Sequence, residues 1–258
     1  MRQYIVDAFS DSIFGGNPAA VCIVEESLSD ELMLAITKEN NLSETAFAVR
    51  KGDKYHLRWF TPGGEIDLCG HATLATAFVL MNYYDDSLST VTFTTMSGDL
   101  IVNRNDELYE MSFPPYDLKS VNQLDEIEAA IGVRPREVFK GRDLLCVLDD
   151  EKSVIDLKPD LKKVAELDGL LLQVTAEGTD YDCVSRSFAP KLNVDEDPVC
   201  GSGHCHIIPY WSEKLNKETI NAYQASARGG SIYATYKDGA LTLAGKATLF
   251  AISELYID

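Results

Sequence analysis

The sequence has too few basic residues to suit a nucleic-acid-binding protein. Its 258 residues include 23 Lys and Arg against 41 Asp and Glu, which gives a formal net charge of −18 at pH 7. Binding to a phosphate backbone depends on Lys and Arg that neutralise phosphates, so neither nucleic acid nor an anionic membrane surface is expected as a partner. The same charge repels anionic small molecules. A carboxylate ligand would therefore need local hydrogen-bond donors, such as a helix N-terminus.

Long apolar runs are also missing. No segment approaches the roughly 18–20 uninterrupted apolar residues of a membrane-spanning helix, and residues 1–7 have the composition of a strand rather than of a signal peptide. The cysteines are scattered rather than arranged as a small disulfide framework, so we expect reduced thiols and a cytoplasmic location. They are Cys22, Cys69, Cys146, Cys183, Cys200 and Cys205.

The apolar pattern predicts an α+β protein with two rounds of short strands. Strands of the first round are expected at 4–9, 19–24, 45–49, 55–61, 91–96, 99–103 and 108–113. Strands of the second are expected at 137–140, 144–148, 170–175 and 183–188, with more strand pattern after residue 215. Surface helices are predicted over 30–38 with Ser27 or Ser29 as the cap, near 124–131, and from Pro159 onwards.

Two further helices have a different character. The run 70–81 is apolar or small on every side, which predicts a helix buried all round inside a shell of strands. A helix over 201–215 takes the corresponding place in the second round. Pro114-Pro115 interrupts the pattern between the rounds. We therefore place one half at 1–115 and the other at 116–258, and the last strands can return to the first half.

A short internal repeat precedes both of these helices. Residues 65–70 and 196–201 share the pattern Glu-x-x-x-Cys-Gly, and the two cysteines are separated by about half the chain. Because the matches fall at equivalent points of two similar halves, we interpret them as a duplicated module.

The Cys-Gly turns suggest chemistry. A cysteine at a helix N-terminus has its thiolate stabilised by the helix dipole, and the following glycine lets backbone N–H groups approach a ligand. Two such ends facing each other would form an anion pocket flanked by Cys69 and Cys200. The alternative is that both cysteines are small buried apolar residues, the commoner role of a free cysteine. The paired context favours the functional interpretation.

Metal and nucleotide sites have less support. His204-Cys205-His206 follows Cys200, but the spacing matches no zinc pattern, so we expect hydrogen-bonded helix histidines and no metal. Gly15-Gly16 lacks the remaining glycine of a dinucleotide fingerprint, and no Gly-Lys-Ser/Thr string occurs. Glu44 lies in a small, otherwise neutral stretch between a helix and a strand, where a glutamate alone is usually a solvated charge.

Taken together, the motifs resemble those of the phenazine biosynthesis-like, or PhzF-type, isomerases, which share a fold with diaminopimelate epimerase. The resemblance rests on five blocks that occur in family order and span most of the chain. These blocks are residues 14–21, 41–47, 58–62, 69–73 and 197–203. The resemblance implies two pseudo-symmetric halves, each a curved, mostly antiparallel sheet or open barrel around a central helix. It also implies an active site in the cleft between the halves, a homodimer and no cofactor.

The resemblance also implies roles for individual residues. Glu44 corresponds to the acid/base glutamate of the family, and His71, Asp197 and Ser202 correspond to residues that line and orient the site. Cys69 and Cys200 occupy the positions of the two proton-transferring cysteines of the epimerase relatives. The remaining substrate-binding candidates are Asn17, Gly70 and Gly201.

Three functions remain open at this stage. The leading hypothesis is relocation of a proton on a small carboxylate by Glu44, with His71 and Asp197 polarising or orienting the substrate. The second is racemisation or epimerisation of an amino-acid-like substrate by Cys69 and Cys200, one acting as thiolate base and the other as thiol acid. The third is a small-molecule-binding protein without turnover.

Overall fold

The chain forms two compact units. The computed structural model describes Met1–Ile257. The first unit contains Met1–Ser112 together with the segment from Ala244 onwards, and the second contains Phe113–Leu243. The division between them lies beside Pro114-Pro115, the interruption on which the sequence-based boundary rests.

Short strands make up most of both units. They are β1 (Arg2–Ala8), β2 (Asn17–Val24), β3 (Glu44–Lys51), β4 (Lys54–Thr61), β5 (Gly64–Ile66), β6 (Thr90–Thr95), β7 (Gly98–Asn105), β8 (Leu108–Phe113), β9 (Lys119–Ser120), β10 (Glu137–Lys140), β11 (Leu144–Val147), β12 (Leu172–Glu177), β13 (Cys183–Ala189), β14 (Val194–Asp197), β15 (Thr219–Gln224), β16 (Gly230–Lys237), β17 (Ala240–Gly245) and β18 (Ala247–Glu254). The helices are α1 (Asp30–Asn40), α2 (Gly70–Val79), α3 (Leu124–Ile131), α4 (Glu151–Ile155), α5 (Leu161–Glu166) and α6 (Gly201–Leu215).

The first unit is built on a mixed, mostly antiparallel sheet. β1 pairs antiparallel with β2 and β18, and β3 pairs antiparallel with β4. β4 also pairs antiparallel with β5, and β6, β7 and β8 follow as an antiparallel meander. The parallel pairs are β2 with β3 and β4 with β6. Parallel neighbours need a crossover connection, and α1 and α2 lie in these two crossovers.

The second unit repeats this connectivity. β11 pairs parallel with β12, β12 antiparallel with β13, and β13 antiparallel with β14 and parallel with β15. Further antiparallel pairs are β9 with β10, β10 with β11 and β15 with β16. α6 lies in the β14-to-β15 crossover, as α2 lies in the β5-to-β6 crossover of the first unit. The repeated order confirms the predicted fold class of two similar α+β halves.

Helix α2 is buried on nearly all sides, as its composition predicts. Residues such as Leu74 and Ala75 have no exposed surface, and the helix packs against β1, β2 and β3. It continues as a π-helical turn over Leu80–Tyr84 and so ends beyond the predicted residue 81. α6 has its predicted bounds and packs against β12, β15 and β16.

The structure differs from the prediction at several local positions. α1 is capped by Ser29, whose hydroxyl accepts from the N–H of Leu32, and not by Ser27. The helix predicted from Pro159 begins at Leu161, because the Asp160 carboxylate accepts from the first free N–H groups of the helix. The sequence prediction missed α4, β5, β9 and β14, which are too short to show an apolar period.

No helix in the described part of the chain combines the length and apolar character required to cross a membrane.

Candidate active site

The first Cys-Gly turn is positioned by a hairpin ion pair. Arg58 on β4 donates from Nε and Nη2 to the two carboxylate oxygens of Glu65 on β5, at 2.6 Å each. The guanidinium also lies 5.1 Å from the ring centroid of Phe60. Such a two-point contact holds the short hairpin rigidly. The chain then reaches Cys69, which is the N-cap residue of α2.

The second Cys-Gly turn is built in the same way. Arg186 on β13 donates from Nε and Nη2 to Glu196 on β14, at 2.8 Å each, and lies 5.0 Å from the ring centroid of Phe188. Cys200 is the N-cap residue of α6. In both units, the glutamate of the repeated Glu-x-x-x-Cys-Gly pattern is therefore the acidic partner of an ion pair between two adjacent strands. The same role at both turns agrees with the interpretation of the pattern as a duplicated module.

Three chemically active side chains meet at the first turn. The imidazole of His71 contacts the other two side chains. Its Nδ1 is 3.5 Å from Cys69 Sγ, and its Nε2 is 3.0 Å from Glu44 Oε2. Glu44 is the first residue of β3, and His71 lies in the first turn of α2. The ring thus connects a thiol and a carboxylate through opposite nitrogens.

The electrostatics of this cluster follow from burial and charge. Burial by itself disfavours the His71 cation, but the adjacent Cys69 and Glu44 outweigh it and raise the pKa of His71 well above the ordinary value of 6.5. Burial, assisted by the charge of Glu44, raises the pKa of the Cys69 thiol. The Glu44 carboxylate thus favours the imidazolium, whereas the contribution of Cys69 to the His71 pKa applies only when its thiol has lost its proton. Glu44 Oε2 and His71 Nε2 are at ion-pair distance but do not align as a hydrogen bond.

The same three residues could be considered as metal ligands, since one ligand atom from each lies within 4.8 Å of the others. The imidazole, however, presents Nδ1 to the thiol and Nε2 to the carboxylate. A metal ion would bond to one of these ring nitrogens at about 2.0–2.1 Å, and one such nitrogen lies within 4.8 Å of both the thiol and a carboxylate oxygen. The contacts of the thiol and the carboxylate with different ring nitrogens also suit proton exchange.

Asn17 and Gly70 lie close to this cluster in the fold. Asn17 is a buried residue at the start of β2, and β2 pairs with β3 so that Ala19 is opposite Glu44. Asn17 is therefore two residues before Ala19, the residue of β2 that lies opposite Glu44. Gly70 is the first residue of α2, between Cys69 and His71.

The second turn holds Cys200 in a hydrogen-bonded setting. Its Sγ accepts from the N–H of Gly203 at 3.3 Å and lies 3.5 Å from Ser202 Oγ. The N–H of Cys200 donates to Gln224 Oε1 at 2.8 Å. Asp197 Oδ1 accepts from the N–H of Val199 at 3.2 Å, which shapes the turn before α6. Gly201 is the first residue of the helix.

Burial opposes the thiolate stabilisation that the two helix N-termini are expected to provide. Burial, with a contribution from the charge of Asp197, raises the pKa of the Cys200 thiol, and burial also raises the pKa of Cys69. The free-energy cost of desolvating a buried charge exceeds the stabilisation that a helix N-terminus provides. Both groups are therefore thiols at neutral pH.

The histidines of the 204–206 run have protein partners at their ring nitrogens. His204 Nδ1 lies 2.8 Å from the carbonyl oxygen of Cys200, and burial lowers the pKa of His204 to about 4. His206 Nε2 accepts from the N–H of Asp143 at 3.2 Å. These contacts match the expected hydrogen-bonded helix histidines.

Sequence reasoning missed two residues beside the second turn. Arg142 and Asp143 lie at the tip of the β10–β11 hairpin, and Arg142 Nη2 donates to Ser202 Oγ at 2.8 Å. Asp143 has no exposed surface and accepts from Arg142 Nε and Nη2 at 2.9 Å each. A Gly-Arg-Asp tip between two apolar strands was the only available signal, and it is a common hairpin composition.

Comparison with known proteins agrees with the family resemblance of the sequence motifs. A family model described as phenazine biosynthesis-like protein (PhzC-PhzF) matches residues 6–252. An uncharacterised isomerase of Pseudomonas aeruginosa is 47% identical over 247 residues, which cover 95% of each chain. The crystal structure of a PhzF-family protein of Enterococcus faecalis is 50% identical, with a TM-score of 0.97 over 99% of both chains. A predicted epimerase of Pseudomonas aeruginosa shares the fold, with a TM-score of 0.78 at 19% identity over 100% of this chain and 99% of that one.

The duplicated α+β fold and the isomerases among these relatives define an enzyme of the isomerase class. Within that class, the chain belongs to the phenazine biosynthesis-like family.

Proposed function

We propose that the protein is a cofactor-independent isomerase that relocates a proton on a small carboxylate or amino-acid-like substrate, with Glu44 as the acid/base group. The observation that carries this proposal is the contact of Glu44 Oε2 with His71 Nε2 at 3.0 Å. The buried imidazolium orients the carboxylate by holding one of its oxygens. Oε2 is fully buried, whereas 15% of the Glu44 side chain is exposed, so the carboxylate meets a substrate through its other oxygen.

The proposed reaction is a proton shift without oxidation or reduction. Glu44 removes a proton from a carbon of the substrate, and the electron pair of the broken C–H bond spreads into the adjacent unsaturated or carboxylate group. The protonated Glu44 then returns the proton at a second carbon. Negative charge develops on the substrate between these steps, and oriented donors nearby lower its energy. His71, whose Nε2 lies 3.0 Å from Glu44 Oε2, is one such donor.

Asp197, Ser202, Gly201, Gly70 and Asn17 are proposed as substrate-orienting residues. Their support is the family resemblance together with their places at the two helix starts or on the strand beside Glu44. Participation of both units in one reaction is part of the same proposal.

Racemisation by two thiols is the second candidate. The contact of Cys69 Sγ with His71 Nδ1 at 3.5 Å favours it, because an imidazole is a suitable proton acceptor for a thiol. The raised pKa of both cysteines counts against it, since a thiol base must first lose its proton. A binding protein without turnover is the third candidate, and nothing in the cluster favours it over the first two. The homodimer and the cytoplasmic location remain proposals that rest on the family resemblance and on the sequence.

The proposal is tested by incubating the enzyme with carboxylate and amino-acid metabolites in deuterium oxide. An isomerase of this kind incorporates solvent deuterium into its substrate, which mass spectrometry detects as a gain of one mass unit per exchanged hydrogen. Deuterium gain that yields a double-bond isomer supports the acid/base reaction, and gain with inversion at one carbon supports the thiol pair. Metabolites that bind without exchange would instead support the binding protein.

A further inference from the structure

Arg142 is held along one edge of its guanidinium by Asp143 and Ser202 and also lies beside Tyr116. Its Nε and Nη2 donate to the two oxygens of Asp143, and Nη2 also donates to Ser202 Oγ. Nη1 donates to neither residue. One third of the Arg142 side chain is exposed, and Tyr116, the further hydrogen-bond neighbour of the guanidinium, is itself only half-buried.

Two other ion-paired arginines of the chain differ in this respect. Arg58 uses Nη1 to donate to Asp30 at 2.9 Å, in addition to its fork with Glu65. Arg186 uses Nη1 to donate to the backbone oxygens of Ile155 and Leu157, in addition to its fork with Glu196. Both are structural arginines whose donors are used on every edge. Arg142 has the same fork, but beyond it the guanidinium meets the half-buried side chain of Tyr116 rather than a carboxylate or a backbone oxygen.

The surroundings of Arg142 keep its guanidinium in place. Asp143 is fully buried and also accepts from Gln173 Nε2 at 3.0 Å. The guanidinium lies 5.3 Å from the ring centroid of Tyr116. At Gly141, an added Cβ would meet the His206 ring at 2.9 Å, so the hairpin tip packs directly on α6. A cation held this firmly loses little entropy when it binds a ligand.

We propose that Arg142 binds the carboxylate of the substrate and selects it over uncharged analogues. This inference rests on the proposed function, since it assigns the group that recognises a carboxylate substrate. The guanidinium is one hydrogen bond from Ser202, which the family resemblance places among the substrate-orienting residues. A planar guanidinium edge matches the two oxygens of a carboxylate. It also provides the local positive charge that a chain of net charge −18 needs to attract an anion.

The competing interpretation is that Arg142 only neutralises buried Asp143. A purely structural arginine would affect folding and the position of Ser202, but it would not distinguish a carboxylate from an amide of the same shape. The selectivity between such ligands therefore separates the two roles.

Benzoate and benzamide are suitable probes because they share shape and differ in charge. Their affinities are measured by NMR titration of the full chain, for the wild type and for Arg142→Gln, with Arg134→Gln as the control. Arg134 is an exposed, ion-paired arginine of the same unit, so its replacement makes the same change in net charge. We expect the wild type and the control to bind benzoate at least about tenfold more tightly than benzamide. Arg142→Gln should lose about 10- to 100-fold in benzoate affinity and less than about threefold in benzamide affinity.

Arg142→Gln leaves buried Asp143 without its ion-pair partner and can therefore fail to fold. A second measurement covers that case. In the wild type, benzoate should shift the Arg142 Nε resonance and benzamide should not. Arg142→Lys keeps a positive charge beside Asp143, and its spectrum assigns that resonance by its loss.

Unchanged benzoate affinity in folded Arg142→Gln, or saturation with benzoate without a shift at Arg142 Nε, would overturn the role of Arg142 and leave the proposed function standing. A wild type that binds neither benzoate nor other metabolite carboxylates would instead overturn the carboxylate part of the proposed function.

Discussion

His71 Nε2 lies 3.0 Å from Glu44 Oε2, and this contact joins the start of the buried helix α2 to the start of strand β3. The other nitrogen of the same ring faces Cys69 Sγ. A single imidazole thus contacts two of the three candidate proton carriers, Glu44 and Cys69. Experiments on Glu44, Cys69 and His71 one at a time therefore test their separate roles.

Glu44→Gln should lower turnover by about 10²- to 10⁴-fold, because it keeps the size of the side chain but removes the proton acceptor. The rate of substrate isomerisation at saturating substrate is the measurement. Glu39→Gln is the matched control, since Glu39 is an exposed residue of α1, and its activity should equal that of the wild type. Wild-type turnover in Glu44→Gln would contradict the proposed mechanism.

Cys69→Ala and Cys200→Ala should each reduce turnover much less than Glu44→Gln. Both cysteines are buried thiols whose raised pKa disfavours the thiolate that a base requires. Solvent-deuterium exchange in each variant provides the comparison. If either cysteine change abolishes exchange while Glu44→Gln retains it, the two-thiol racemase becomes the better hypothesis, because such an enzyme needs a proton carrier on each face of the carbon.

His71 should be protonated at neutral pH, whereas His204 should be neutral down to about pH 4. Cys69 and Glu44 raise the pKa of His71 above 6.5 against the opposing effect of burial, and burial lowers the pKa of His204 to about 4. A ¹⁵N NMR titration of the histidine side chains distinguishes these states. A neutral His71 at pH 6 would remove the ion pair with Glu44 from the mechanism.

The same shift predicts how stability depends on pH. A raised folded-state pKa means that the folded protein binds the His71 proton more tightly than the unfolded chain does. The resulting stabilisation is fully present below the unfolded value of about 6.5 and is lost as the pH rises through the folded pKa. The difference in unfolding free energy between the wild type and Glu44→Gln should therefore be larger at pH 6 than at alkaline pH. Urea unfolding at both pH values tests this, and a difference that grows with pH would contradict it.

Gly203→Ala should destabilise the protein by about 1–3 kcal/mol, because a Cβ at this position would overlap the Gln173 carboxamide. The Nε2 atom of Gln173 would lie 2.8 Å from that Cβ, and Gln173 is fully buried with a hydrogen bond to Asp143. Gly201→Ala is the control on the same helix, since nothing lies within 4 Å of its Cβ. The control should be neutral or gain up to about 1 kcal/mol of stability. Equal urea midpoints for both variants would show that Gln173 moves aside freely.

The sequence was sufficient for features that depend on neighbouring residues in the chain. The all-round apolar run predicted the buried helix α2, and α6 has its predicted bounds. The Glu-x-x-x-Cys-Gly repeat indicated the duplication, and five short blocks indicated the family. These features could be inferred because helical periodicity, capping residues and turn motifs act over a few residues.

The tertiary structure decided the protonation states and the partners of the site residues. A helix N-terminus alone stabilises a thiolate at Cys69 or Cys200, but burial raises the pKa of both thiols, and burial depends on strands distant in the sequence. Arg142 reaches Ser202 across 60 residues of sequence, and Glu44 meets His71 only because β3 and α2 pack in the same unit. Electrostatic energies depend on distance and on exclusion of water. Both quantities are set by the packing of remote segments rather than by the local order of residues.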